Sequence, residues 1–122
     1  MNVLLLITEA PTRPLAWHAV SLAKQLLQQG AQIRVFFYQD AVLIANALRW
    51  QPADEASLAD AWRELAIDLP VCVSAALYRG VTDADNAKRH ALDGYNLATG
   101  FRLTGLGELA EYTLDADRVI HL

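Results

Sequence analysis

The chain is a succession of segments with two patterns of apolar and polar positions. One pattern is typical of buried strands and the other of amphipathic helices. Residues 2–8 are apolar without alternation, as in a parallel strand covered on both faces. Residues 14–29 carry apolar side chains at helical spacing, and Gly30 supplies the stop. The residues predicted to face the core from this helix are Leu15, Ala19, Leu22, Ala23 and Leu26.

The same two patterns continue to the end of the sequence. Further strands are predicted over 32–38, 71–74, 101–103 and 117–122. Helices are predicted over 58–65 (capped by Ser57), 82–95 and 106–113. The residues predicted to face the core from the last of these helices are Leu106, Leu109, Ala110 and Thr113. Regular alternation of strands and helices is typical of an α/β fold. We therefore predict a single three-layer domain over residues 1–122, flavodoxin- or Rossmann-like, with a mostly parallel five-stranded sheet and helices on both faces.

Residues 40–50 break the pattern, because they are apolar on nearly every side. A helix on the surface of a small domain would carry a polar face. This segment is therefore either buried within the domain or covered by another subunit. Because the domain is so small, we expect the subunit.

Composition excludes several classes of protein. With 54% hydrophobic residues among 122, the chain can bury a core, and its one cysteine cannot form an internal disulfide. The net charge of −4 and the lack of a basic cluster argue against direct nucleic-acid binding. The apolar run 3–7 is too short to span a membrane, and no basic segment precedes it as in a secretory signal. We expect a cytoplasmic protein.

Nucleotide and metal sites are poorly supported. A nucleotide-binding fold would place glycines in the loop after the first strand, whereas residues 8–14 contain none. The later pair Gly105 and Gly107 is more typical of a tight turn. His18, His90 and His121 stand far apart, and none has ligand spacing to a cysteine. Neither a metal nor an organic cofactor is predicted, and a nucleotide-binding module stays open only as a disfavoured alternative.

Cys72 is the candidate reactive residue. It ends an apolar run and precedes a predicted helix, and ligands of parallel sheets bind beyond the carboxyl ends of the strands. Helix-terminal N–H groups there would favour the thiolate, which is the nucleophilic form. The alternative is a small buried core residue, since free cysteine is among the most buried residue types. A catalytic role requires the first arrangement, with a thiol that solvent can reach.

Four side chains are candidates to assist the thiol. Arg79 could raise the local positive potential or could be a solvated residue at a helix end. Tyr38 and Asp40 follow the second strand at the same sheet edge, where a tyrosine is more often a packing aromatic than a catalytic phenol. His18 lies in the first helix and is more typical of an exposed histidine. Sequence alone leaves all four roles open.

Three segments, taken together, resemble one known family. These are 36–38 with 45–46, then 71–81 around Cys72, and finally 105–119. In this order they are similar to the TusD/DsrE family of sulfur-relay proteins, and the likeness spans the whole chain. It implies a DsrE-like α/β fold and a sulfurtransferase. Cys72 matches the family's catalytic cysteine, and no other residue is carried over.

The resemblance also implies partners and a pathway. Cys72 would accept a sulfane sulfur as a persulfide from a TusA-like donor and pass it to a TusE-like acceptor. TusB-like and TusC-like subunits would complete a heterohexamer, and the product would be the 2-thio group of a tRNA wobble uridine. No cofactor is required, because each step resembles thiol–disulfide exchange.

Two further alternatives and one departure accompany the resemblance. A DsrE-type role in dissimilatory sulfur oxidation would use the same chemistry, and a non-catalytic assembly subunit would keep Cys72 buried and inert. The loop at residues 9–14 is shorter and richer in proline than in close relatives. We expect this loop to lie beside the thiol, where it would affect partner fit.

Overall fold

Five parallel strands form one sheet in the computed structural model, which describes residues 1–122. The strands are β1 (Asn2–Ile7), β2 (Gln32–Phe37), β3 (Leu69–Cys72), β4 (Phe101–Thr104) and β5 (Arg118–His121). Their spatial order is β4-β3-β2-β1-β5, and every neighbouring pair runs parallel. The predicted parallel five-stranded α/β fold is confirmed, and β3 lies inside the sheet rather than at its edge.

Helices fill the connections between the strands. They are α1 (Pro14–Gln28), a 3-10 helix (Gln39–Ala45), α2 (Leu58–Glu64), α3 (Val73–Tyr78), α4 (Ala84–Arg89) and α5 (Leu106–Asp115). Ser57 caps α2 as predicted, because its side chain accepts a hydrogen bond from the Asp60 N–H. The helix predicted over 82–95 is shorter than expected: Asp83 caps it and it ends at Arg89. None of the helices combines the length and the hydrophobicity needed to cross a bilayer.

The two faces of the sheet are covered by different helices. Phe37 of β2 packs edge-on against Trp62 of α2, with ring centroids 5.3 Å apart. Arg34 of the same strand lies on the opposite face, because successive side chains of a strand alternate, and its guanidinium stacks on Tyr112 of α5 at 4.7 Å. We call these the α2 face and the α5 face. Helices on both faces were predicted and are confirmed.

Residues 40–50 do not form the predicted helix covered by a second subunit. The 3-10 helix stops at Ala45, and its apolar side chains are buried against the chain's own core: Ala41, Val42, Ile44 and Ala45. The all-apolar pattern therefore reflects burial inside the domain. The large apolar side chains that remain strongly exposed in this segment are Leu48 and Trp50, both beyond the helix.

The core-facing sides of α1 and α5 also differ from prediction. The buried residues of α1 are Ala16, Ala19, Val20 and Ala23. These mostly small side chains form the face of α1 that packs on the sheet. Leu15 lies outside this face and is exposed. In α5 no residue is fully buried, and Leu106, predicted to face inward, is 48% exposed. The α5 face is thus the less tightly covered side of the sheet.

Candidate functional site

Cys72 occupies the junction between a strand and a helix. It is the last residue of β3 and the N-cap of α3, where its backbone is still extended (φ −60°, ψ 119°). Its side chain makes no capping hydrogen bond. The predicted setting, a thiol at the carboxyl end of a parallel strand followed by a helix, is confirmed. The strand itself is Leu69–Cys72, two residues earlier than predicted.

The expectation of a solvent-reachable thiol is wrong for the isolated chain. Cys72 is only 1% exposed and belongs to the main cluster of buried apolar residues. β3 is an inner strand flanked by β2 and β4, and Cys72 packs into the core from it. Chemistry at Cys72 therefore requires a local movement that uncovers the sulfur.

Strand register identifies which side chains border Cys72. Phe37 pairs with Val71, and continuing this register by one residue places Tyr38, which directly follows β2, next to Cys72. On the other flank Cys72 pairs with Thr104. Since Val71 shares the α2 face with Phe37, the side chain of Cys72 belongs to the α5 face. We call Thr104, Cys72 and Tyr38 the rim row.

Beyond Tyr38 the same edge carries a further pair of polar side chains. The Tyr38 N–H donates to the Ile7 carbonyl at 2.8 Å, which extends the β1–β2 ladder by one residue. Thr8 follows Ile7, and its hydroxyl lies 2.8 Å from Nε2 of His121. His121 therefore belongs to this edge, three strands away from Cys72 in the order of the sheet, with β2 and β1 between them.

Arg79 and Asp40 form a pair of their own. The guanidinium donates from Nε to Asp40 Oδ1 at 2.9 Å and from Nη1 to the Ala75 carbonyl at 3.1 Å. Arg79 is the C-cap of α3, at the end opposite Cys72. Of its two predicted roles, the structure favours a helix-end arginine that ties α3 to the 3-10 helix.

His18 and the loop at residues 9–14 lie away from the thiol. His18 is exposed on α1, as expected of a surface histidine. Glu9 and Pro11 line a small cavity together with Ile44 and Trp62, on the α2 face. The expectation that this loop borders Cys72 is therefore wrong, because the loop folds over the opposite face of the sheet.

A charged cluster on the α5 face was not predicted. Arg102 of β4 donates to Asp68 Oδ1 at 2.8 Å and to Glu108 Oε2 at 2.8 Å, and the Tyr112 hydroxyl donates to Glu108 at 2.9 Å. Arg102 pairs with Pro70, two residues before the Thr104–Cys72 pair of the rim row and on the same face of the sheet. A lone arginine inside a short apolar strand is the one signal in the sequence that could have indicated it.

The cluster shifts the titration of its members. Hydrogen bonds from Arg102 hold the pKa of Glu108 down at about 2, and they also lower the pKa of Asp68. Burial and the hydrogen bond to Glu108 raise the pKa of Tyr112 to about 12. At neutral pH these groups are fixed in their ordinary charge states, so the cluster holds β4 to α5 rather than transferring protons.

A second polar network closes the end of α3. The Asn96 amide nitrogen donates to Asn46 Oδ1 at 3.0 Å and to the Gly80 carbonyl at 2.9 Å, while its oxygen accepts from the Thr82 N–H at 2.9 Å. Thr82 is buried, so this N–H has no access to water. We call this network the asparagine clasp. It anchors the segment that leaves α3, and thereby the helix that begins at Cys72.

The described residues offer the site one nucleophile and no metal-binding set. No group of three His, Cys, Asp or Glu side chains comes together as metal ligands would. Cys72 has neither a histidine nor a carboxylate among its rim-row neighbours. A thiol in such surroundings suits exchange between sulfur atoms, which depends on access and leaving group more than on an acid–base partner.

Comparison with known proteins assigns similarity over the whole chain. A family model described as the DsrE/DsrF-like family matches residues 1–122. A protein named sulfurtransferase TusD from Cronobacter sakazakii is 45% identical over 107 residues, which cover 84% of this chain and 84% of that protein. A protein of the same name from Pectobacterium carotovorum is 49% identical over 107 residues, covering 84% and 83%.

A solved structure supports the fold independently. The crystal structure of the ychN protein from E. coli superposes with a TM-score of 0.71 and covers all of both chains. At 21% sequence identity, this likeness concerns the architecture alone.

Proposed function

Because this chain belongs to the DsrE/DsrF-like family, we propose that it is a sulfurtransferase subunit that carries sulfur on Cys72. The observation that carries the proposal is the place of its only cysteine, at the carboxyl end of an inner parallel strand and at the start of α3. Relatives named sulfurtransferase TusD over 84% of the chain support the type of reaction.

The transfer proceeds through two exchanges between sulfur atoms. The Cys72 thiolate attacks the outer sulfur of a donor persulfide, R–S–SH, so that the donor leaves as R–S⁻ and Cys72 becomes Cys72–S–SH. An acceptor thiolate then attacks the outer sulfur of Cys72–S–SH, takes it as its own persulfide and releases the Cys72 thiolate. Neither step needs an oxidant, a metal or an organic cofactor, because each S–S bond that breaks is replaced by another.

The finer assignments follow the family resemblance. A TusA-like donor and a TusE-like acceptor would exchange sulfur with Cys72 in the cytoplasm, in a relay that ends in 2-thiolation of tRNA. TusB-like and TusC-like subunits would complete a heterohexamer. Large apolar side chains left on the surface support an assembly, since Trp50 is 84% exposed and Leu114 is 89% exposed.

A second candidate function is a non-catalytic subunit of the same assembly. The observation in its favour is the burial of Cys72. A DsrE-type role in sulfur oxidation would involve the same exchange at Cys72 with other partners. Proteins that co-purify with the chain separate the two pathways: tRNA-thiolation proteins in one, components of sulfite-reductase chemistry in the other.

Sulfur loading separates the carrier from the inert subunit. Purified chain is incubated with a persulfidated donor protein, and its intact mass is measured. The carrier gains about 32 Da, one sulfur atom, and Cys72→Ser gains nothing. An unchanged mass in the wild type, in the presence of its co-purifying subunits and while the donor loses its sulfur, would leave the inert subunit as the better account.

A further inference from the structure

Tyr38 is the largest side chain in the rim row, and the register of the preceding residues places it next to Cys72. The pairing of Phe37 with Val71 places the two residues on adjacent strands, about 4.8 Å apart at the backbone. Tyr38 is also extended (φ −136°, ψ 161°), so the alternation of the strand continues through it. Its ring therefore projects to the α5 face, as the thiol does.

This orientation is fixed by contacts on the opposite face. The Phe37 ring packs edge-on against Trp62 at 5.3 Å and against Phe101 at 5.7 Å, and it is 1% exposed. With Phe37 locked into the α2 face, the next residue has no alternative to the α5 face. Strand rotation therefore cannot move Tyr38 away from Cys72.

The backbone of Tyr38 is held while its side chain is free. The N–H donates to Ile7 at 2.8 Å, and the carbonyl accepts from the Ala41 N–H at 3.1 Å. On the same face, the Tyr112 hydroxyl donates a hydrogen bond to Glu108. The Tyr38 hydroxyl takes part in no hydrogen bond of the chain, and the residue is only half-buried. Its ring can thus turn about the side-chain bonds without breaking a hydrogen bond.

We propose that the Tyr38 ring controls access to Cys72, so that the thiol is covered until a docking partner displaces the ring. The inference rests on the proposed function, and it reconciles a buried cysteine with transfer between proteins. Thr104, on the other flank, has a side chain too short to cover a neighbouring strand position. Tyr38 is therefore a positioning residue, not a reacting one.

A covered persulfide is protected from loss to small thiols. A free thiolate R–S⁻ that reached Cys72–S–SH would take the outer sulfur as R–S–SH and release the Cys72 thiolate, so the cargo would leave the relay. A ring that moves only when a partner docks would slow this reaction without blocking the productive one. Protection and access are thus two consequences of the same side chain.

The test measures the rate at which a small aromatic disulfide reagent labels Cys72 in the folded protein. Replacement of the ring in Tyr38→Ala or Tyr38→Leu should raise this rate about tenfold or more, because covered groups react only through local opening. Tyr38→Phe keeps the ring and should label like the wild type. Tyr78→Ala, which removes a 93% exposed tyrosine from α3, is the matched control and should change nothing.

Two further outcomes would overturn the inference. In the first, the Tyr38→Leu protein folds but its Cys72 is labelled no faster than that of the wild type. In the second, Trp62→Phe, which loosens the packing of the α2 face, accelerates labelling as much as Tyr38→Leu does. The second result would assign access to general loosening of the core.

The lifetime of the persulfide then separates this inference from the proposed function. On protein loaded with sulfur, glutathione should remove the added 32 Da about tenfold faster from Tyr38→Leu than from the wild type. Equal lifetimes would overturn the role of Tyr38 while the carrier role of Cys72 stands. The opposite result is also possible: the wild type fails to load sulfur with its co-purifying subunits present, while Tyr38→Leu is still labelled faster. That result would overturn the proposed function and leave the role of the Tyr38 ring in covering Cys72 in place.

Discussion

Arg79 donates a hydrogen bond from Nε to Oδ1 of Asp40 at 2.9 Å and so joins the end of α3 to the 3-10 helix. The two side chains are 31% and 62% exposed, and pairs of this kind contribute little to stability. The relationship matters for function because it pairs the basic residue nearest to Cys72 in the sequence with a carboxylate instead of leaving it free beside the thiol.

We therefore expect Arg79→Met to leave sulfur loading within about twofold of the wild-type rate and to lower the free energy of unfolding by less than about 1 kcal/mol. Loading is measured by intact mass over time, and stability by urea denaturation. A loss of loading by tenfold or more in a folded Arg79→Met protein would restore a direct electrostatic role for this residue.

The asparagine clasp predicts a larger effect on stability. Asn96→Ala leaves the buried Thr82 N–H and the Gly80 carbonyl without partners, and an unsatisfied buried group costs about 1–3 kcal/mol. Urea denaturation should show a loss of that size. Gln51→Ala, which removes hydrogen bonds from an exposed loop, is the control and should cost less. Equal costs for the two variants would contradict the role assigned to the clasp.

The charged cluster predicts how stability depends on acid. The pKa of Glu108 is about 2 in the folded chain against an ordinary value of 4.5, so the folded state favours the carboxylate. The corresponding stabilisation is present above about pH 4.5 and is lost as the pH falls towards 2. Asp68 contributes in the same direction.

Glu108→Gln should remove much of this dependence. The free energy of unfolding of the variant, measured by denaturation at a series of pH values, should fall less steeply between pH 4.5 and 2 than that of the wild type. Glu111→Gln, at an exposed position of the same helix, should keep the wild-type slope. A Glu108→Gln protein with the full acid slope would show that Arg102 does not hold this carboxylate in the folded state.

Much of the fold was predictable from local patterns. The uninterrupted apolar run of β1 identified a strand covered on both faces, and Ser57 marked the start of α2. The apolar residues of the 3-10 helix were recognised as needing cover, but periodicity does not record what provides it. Only the packing of Ala41 and Val42 against the chain's own core decides between the domain and a second subunit.

The site was predictable to one residue and no further. Cys72 could be placed at a strand end from its neighbours in sequence, whereas its burial depends on tertiary packing between segments that are distant in sequence. The adjacency of Tyr38 and Cys72 follows from the register of β2 with β3. Register between distant segments leaves no local pattern, so neither the cover nor the rim row could be identified from the sequence.

A sulfur carrier must take up one sulfur atom on Cys72 and give it up again, and a loading-and-chase experiment measures both steps. The wild-type chain, with its co-purifying subunits, is loaded from a persulfidated donor and then mixed with an excess of the acceptor protein. We expect a gain of about 32 Da on the peptide that contains Cys72, followed by its loss as the acceptor gains the same mass. No gain on that peptide while the donor is depleted, or a gain that Cys72→Ser retains, would contradict the account.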